Sequence, residues 1–216
     1  MIKKVNFIFF LIAVLVLFSC ILISCENQWM QDLIKELKDK KERGDSLGSG
    51  GGNDGGGGGG GYTIGQIGPG GGIIFYDKGN NSEGWRYLEA SPVDLGPCAW
   101  AAYGQEYTNI IGTETSIGKG ENSTYSILLQ DPDAPAAREC RNYLGGGQND
   151  WFLPSLEELN ELYEKRTIAG ISEVNEYWSS SQANNNEAWL QFFGIGSQYY
   201  GAKSNAIAYV RPIRAF

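Results

Sequence analysis

Gly146-Gly147-Gln148-Asn149-Asp150-Trp151-Phe152-Leu153-Pro154-Ser155-Leu156-Glu157-Glu158-Leu159 reads as the join between two helices, and the chain is best followed outward from it. Ser155 and Glu158 have the spacing of a capping box, in which each side chain satisfies a backbone N–H at the start of a helix. Leu156, Leu159, Leu162 and Tyr163 then recur at helical spacing, which predicts a helix over residues 155–165 with one apolar face. Upstream, Ala134, Ala137, Cys140, Arg141 and Leu144 fall along one side of a second helix, residues 134–144, and Gly145-Gly146-Gly147 ends it as a C-cap would.

Runs rich in aromatic and branched residues lie on either side of this helical centre. Residues 62–67, 72–76 and 85–90 read as strands before it, and residues 177–181, 188–193 and 206–214 after it. Residues 77–82 supply a turn, and residues 194–204 read as a turn-rich join between the last two strands. Helices bracketed by strands at both ends point to an α+β fold, not to a repeating βαβ unit. Residues 62–216 are long enough to bury one core, and they form the one globular domain expected.

The amino-terminal quarter has another composition. Lys3 and Lys4 precede an apolar run from Phe7 to Phe18 that continues to Ile23, the layout of a secretory signal. Leu22-Ile23-Ser24-Cys25 resembles the bacterial lipobox, which implies cleavage before Cys25 and acylation of its thiol; Leu17-Phe18-Ser19-Cys20 is a poorer match. An uncleaved transmembrane anchor is the other reading of this run. Several acyl chains would hold the protein firmly on a bilayer, whereas a single chain binds only marginally. The expected organisation is therefore a signal peptide at 1–25, a charged helical stalk at 26–47, a glycine-rich linker at 48–61 and the domain at 62–216. Met30, Leu33, Ile34 and Leu37 give the stalk about one and a half heptads, short of the three or four that a self-standing coiled coil needs. Eleven of the 14 linker positions are glycine, a composition too flexible to fold, with a root-mean-square span of roughly 20 Å.

Charge and residue types exclude several functions. Residues 62–216 hold 10 Lys and Arg against 18 Asp and Glu, which disfavours nucleic acid and other polyanions. The chain has no histidine, so Ser-His-Asp triads, Cys-His dyads and histidine metal sites are absent. The glycine run around Gly68-Pro69-Gly70-Gly71-Gly72 leads into a strand and lacks the Gly-Lys-Ser/Thr ending of a phosphate cradle. Asp131 and Asp133 flank Pro132, but their spacing matches neither an EF-hand loop nor the lectin calcium triplets. No metal, no cofactor and no catalytic residue is expected.

Cys98 and Cys140 remain once Cys20 and Cys25 are assigned. In an oxidising compartment they read as a disulfide, closing a loop worth roughly 4 kcal/mol in the chain-entropy model. The alternative is a reactive thiol with Arg138 or Arg141 lowering its pKa. Trp151, Trp178 and Trp189 read as core aromatics whose N–H groups need partners, or else as ligand-stacking rings. Glu157 or Glu158 is placed to meet Arg211 or Arg214. Gln198, Tyr199, Tyr200 and Lys203 combine aromatic faces with polar tips and form a candidate ligand-binding set, with Asn184, Asn185 and Asn186 as a second polar loop; both sets also read as plain solvated turns.

The helical join resembles a "GG..DW.LPS..EL" signature. Tyr177-Trp178-Ser179-Ser180-Ser181 and Val210-Arg211-Pro212-Ile213-Arg214-Ala215-Phe216 resemble its "YWSSS … VRPVRAF" ending, and Trp85-Arg86-Tyr87-Leu88-Glu89-Ala90 fits the same group. Together they resemble the Lcl C-terminal domain family, catalogued as a domain of unknown function and named for a collagen-like adhesin. The resemblance implies a C-type-lectin-like α+β domain with two helices and a twisted antiparallel sheet, with Trp151, Pro154, Glu158, Trp178, Arg211 and Arg214 as its structural motif. It also implies adhesion, which in the namesake involves sulfated glycosaminoglycans and trimers; polyglycine in place of collagen and an acidic domain depart from that pattern. The motifs are similar as well to the formylglycine-generating enzymes, where only Cys98 and Cys140 could serve. The leading expectation is a lipoprotein of the cell envelope, held on its membrane through Cys25 (the outer membrane or cell surface if there are two membranes), whose lectin-like domain binds a carbohydrate or a protein. The alternative is a non-catalytic structural or assembly component of the envelope.

Overall fold

Glu89 sits in the middle of a strand with no exposed surface, and the first sheet is organised around it. A computed structural model describes residues 61–171 and 174–216. The signal peptide, Cys25, the stalk and all of the linker but Gly61 lie outside the described residues.

The first sheet holds β1 (Ile73–Asp77), β2 (Tyr87–Ala90) and β6 (Ile213–Ala215), in the order β1-β2-β6 and antiparallel throughout. The second holds β3 (Glu176–Gln182), β4 (Glu187–Phe192) and β5 (Ser197–Ala202), also antiparallel and in chain order. Three helices lie between the two sheets in sequence: α1 (Gly120–Gln130), α2 (Pro135–Asn142) and α3 (Leu156–Glu164). The fold is α+β, as its element pattern requires. The carboxy-terminal segment links the sheets. Tyr209 forms a parallel bridge with Tyr177 of β3, and three residues after Val210 the chain enters β6 beside β2.

Both expected central helices form. Ser155 caps α3 with the reciprocal capping box, and Leu156, Leu159 and Leu162 are buried. In α2, Ala136, Ala137 and Cys140 are buried, but Leu144 lies beyond the helix end and is 66% exposed. Other expectations fail. Residues 62–67 make a turn, not a strand, with Gln66 N–H donating to the Thr63 carbonyl and a single bridge from Ile67 to Ile73. Residues 206–212 run as an extended segment with isolated bridges, so the last strand shortens to Ile213–Ala215. Helix α1 escapes apolar periodicity because its buried face is Gly120, Ser123, Thr124 and Ile127. Within residues 194–204, expected as a turn-rich join, Ser197–Ala202 forms strand β5, which is polar and half-exposed and so carries no apolar alternation.

Two apolar clusters fill the interior. Trp100, Trp178, Ile127, Leu153, Leu190 and the alanines of α2 form one; Phe75, Leu88, Phe152, Leu159, Tyr177, Phe193 and Ile213 form the other. Three tryptophans send their indole N–H to backbone carbonyls: Trp100 to Ser179, Trp151 to Gly145 and Trp178 to Cys98. Trp151 and Trp178 are therefore core aromatics, whereas Trp189 is half-buried and meets Tyr200 edge-on. The serines after Trp178 lie where the β3–β4 register slips. Ser179 Oγ donates to the Trp189 carbonyl across the bulge, and Ser181 Oγ donates to the Glu114 carbonyl of the loop before α1.

The expected disulfide is not formed. Cys98 and Cys140 are both thiols, and they pack into the same apolar cluster. Burial pushes Cys98 up to about 11, aided by the Glu139 carboxylate, and holds Cys140 well above the usual thiol range. In the reduced protein at pH 8, Cys98 should react with iodoacetamide roughly 100-fold more slowly than a solvent-exposed cysteine, since each pKa unit removes about tenfold of thiolate. Alkylation at the rate of free cysteine would contradict the burial described.

Glu158 is wholly buried at the join of α3 and the α1 approach. Its carboxylate accepts from the N–H groups of Ser155 at 2.7 Å and Gly118 at 2.8 Å. Burial pushes its pKa up to about 7 even so. The folded value exceeds the unfolded one, so its stabilising contribution is complete below about pH 4.5 and is lost as pH rises towards 7. The melting temperature of the wild type should therefore fall relative to that of Glu158→Gln across this window, by several degrees, in calorimetry at matched ionic strength. A gap independent of pH would show that Glu158 does not titrate there.

Candidate functional site

The residues singled out from sequence separate into an interior set and a surface set. Arg214 reaches across the β2–β6 pair to Glu89 at 3.0 Å, and its Nε donates to Asp150. Glu89 also accepts from Gly70 N–H at 2.9 Å and Gly72 N–H at 3.0 Å. Arg211 pairs with Asp94 at 2.7 Å and donates to the Ala169 carbonyl, while the Tyr177 hydroxyl donates to the other Asp94 oxygen. Neither arginine meets Glu157 or Glu158; Glu89, Asp94 and Asp150 are their partners instead. Pro154 is buried, and its carbonyl accepts from Ser180 N–H. All six motif residues, Trp151, Pro154, Glu158, Trp178, Arg211 and Arg214, thus hold the scaffold together.

The proposed ligand set does not stay together. Lys203 has no exposed surface. Its Nζ donates to Thr108 O at 2.7 Å, Gln182 Oε1 at 2.6 Å and Asn185 O at 2.9 Å, and it lies 5.0 Å from the Trp100 ring centroid. Burial lowers its pKa to about 8, opposed by the Asp131 carboxylate. Lys203 is a correction to the sequence reading: it is an internal tie, not a ligand contact. Tyr199 turns inward against the apolar cluster of Trp178 and Leu190, as strand alternation demands. Gln198 and Tyr200 remain on the surface.

What Lys203 ties is informative. One nitrogen holds the loop of residues 102–112, the hairpin turn of residues 184–186 and the end of β5, so these segments form one end of the domain. Asp131 lies at the same end. Its carboxylate accepts from Ala102 N–H, and Asp133, at the surface, pairs with Arg138 at 2.8 Å, so each acid flanking Pro132 already has a partner within the domain. Among the described residues no group of His, Cys, Asp and Glu is arranged to hold a metal ion. On this end sit Tyr103, fully exposed, and Tyr107, 71% exposed. Sequence reading missed both, because two tyrosines in a loop carry no periodic signal.

A model of the Lcl C-terminal domain matches residues 90–214. The chain belongs to this family. Its match spans the helical join, the serine strand and the arginine ending described above. A solved structure of a fimbrial protein from Bacteroides ovatus ATCC 8483 is similar over 67% of this chain, at 15% identity and a TM-score of 0.47. The chain spans 44% of that protein's length. No curated protein matches it.

Lys203→Met should deprive the Thr108 and Asn185 carbonyls of their Lys203 donor, leave Gln182 Oε1 with Ile110 N–H alone, and destabilise the domain by about 3 kcal/mol in urea denaturation. Amide exchange at Ile110 and Lys203 should quicken most. A loss under about 1 kcal/mol would mean that Lys203 does not join the loops.

Proposed function

We propose that this chain is an exported lipoprotein whose Lcl C-terminal domain is a non-catalytic, adhesin-like module of C-type-lectin-like architecture, binding a carbohydrate or protein outside the cytoplasm. In this reading residues 1–25 are the signal peptide, Cys25 carries the acyl chains, residues 26–47 form the stalk and residues 48–61 the flexible tether. The tether gives the domain reach from the envelope membrane that holds it.

One observation carries the binding role. The buried charged groups of the domain serve its own backbone and loops, while the segment clamped by Lys203 presents large aromatic side chains to water. Loops held on a rigid scaffold are where recognition is placed. Neither cysteine is set up as a nucleophile, since burial keeps both thiols protonated.

Metabolic labelling with a palmitate analogue should mark the wild type and not Cys25→Ala. Cells carrying the wild type should adhere to glycan- or matrix-protein-coated surfaces more than cells lacking the protein. Equal labelling of the two forms removes the lipoprotein assignment, and equal adherence removes the adhesin assignment. Copurification with a stable envelope partner and no adherence would favour an assembly role instead.

A further inference from the structure

The loop of residues 102–112 combines two properties that seldom occur together: a main chain fixed along its length and large side chains left without packing. Ala102 N–H donates to Asp131 at 2.9 Å, and Thr108 O accepts from Lys203 at 2.7 Å. Ile110 N–H donates to Gln182 at 2.8 Å, and Gln130 clamps Ile111 through both its N–H, at 2.9 Å, and its carbonyl, at 2.8 Å. Two tight turns, Ala102 to Gln105 and Gln105 to Thr108, complete the path. Yet Tyr103, Tyr107 and Ile111 are exposed. A loop ordered in advance loses little further entropy on binding, and tyrosine supplies a broad amphipathic face for few rotatable bonds.

The neighbours of these rings define the ligand class. Asn109 accepts from Gln182 Nε2 through its Oδ1 and keeps its own N–H groups; Asn185 and Asn186 are exposed on the adjoining turn. Amides both donate and accept, which matches sugar hydroxyls. The Glu187 carboxylate beside the turn accepts from Asn184, and the one acid in the loop, Glu106, is half-buried. A sulfated or phosphorylated chain requires cations; Lys203 points inward into three carbonyl oxygens, and Arg138, bonded to Asp133, is already paired with a carboxylate. Within residues 102–112 and 184–186, Ile111 is the only large aliphatic side chain exposed, less than the apolar centre a protein interface needs.

We propose that residues 102–112, with the turn at residues 184–186, form a platform for neutral polysaccharide, Tyr103 and Tyr107 stacking on sugar faces while Asn109, Asn185 and Asn186 bond to hydroxyls. The proposal rests on the adhesin-like reading and assigns its ligand and its site.

The test uses the full chain in detergent on plates coated with dextran, laminarin, mannan or galactomannan, with heparin and matrix protein as comparisons. Saturable binding to at least one neutral polysaccharide is expected, weakened at least tenfold in Tyr103→Ala/Tyr107→Ala and little changed in Tyr200→Ala. Both loop tyrosines are exposed, and an unchanged melting temperature verifies folding of the double variant. Periodate treatment, which cleaves vicinal diols, should abolish the signal on dextran, mannan or galactomannan and spare it on laminarin, whose 1,3-linked residues lack them. Preference for heparin, binding undiminished in the double variant, or no binding to any of the four overturns the site. Binding to matrix protein alone, unaffected by the loop changes, overturns the site but keeps the adhesin reading; binding to no coat at all removes both.

Discussion

A carboxylate buried inside a sheet must be compensated, and Glu89 shows how this domain meets that demand. An unpartnered charge in the interior is strongly destabilising, so its partners are recruited from distant parts of the chain. Arg214 comes from the carboxy-terminal strand, Asp150 approaches through Arg214, and the N–H groups of Gly70 and Gly72 come from the turn before β1. One ionic cluster thereby joins the first strand pair, the helical join and the end of the chain. The glycines follow from it: Gly146 has φ of 62°, and a side chain there would strike the Gly70 carbonyl at 2.4 Å.

Three further polar ties repeat this arrangement at other joints. Glu158 fastens the start of α3 to the approach to α1, and Arg211 with Asp94 fastens the carboxy-terminal segment to the loop after β2. Lys203 gathers the loops at one end. Each tie uses a strong, directional group whose loss leaves buried donors or acceptors unmet. The outcome is a scaffold whose charged interior residues are committed to shape.

Under the proposed binding role, the division between scaffold and surface also explains why the domain's acidic balance need not govern its ligand. The exposed end held by Lys203 is mostly aromatic and amide in character, and its chemistry suits hydroxyl-rich partners better than polyanions. Family membership rests on the scaffold motifs, which lie in the interior, so it describes the fold of the domain and does not by itself specify a function.

The sequence by itself determined the α+β class, the two central helices, the capping box of Ser155 and Glu158, and most strands with apolar alternation. These are local properties, legible because hydrogen-bonding and burial periodicities repeat within a few residues. Tertiary structure alone decided the rest. Helix α1 buries glycine, serine and threonine, and β5 is polar, so neither carries an apolar period. Lys203 looks like a surface residue until three carbonyl oxygens converge on it from segments 18 to 95 residues away. The partners of Arg211 and Arg214 were likewise hidden, at separations of 117 and 125 residues, because the charge of a side chain is written in sequence but its counter-charge is chosen by which strands the fold brings side by side.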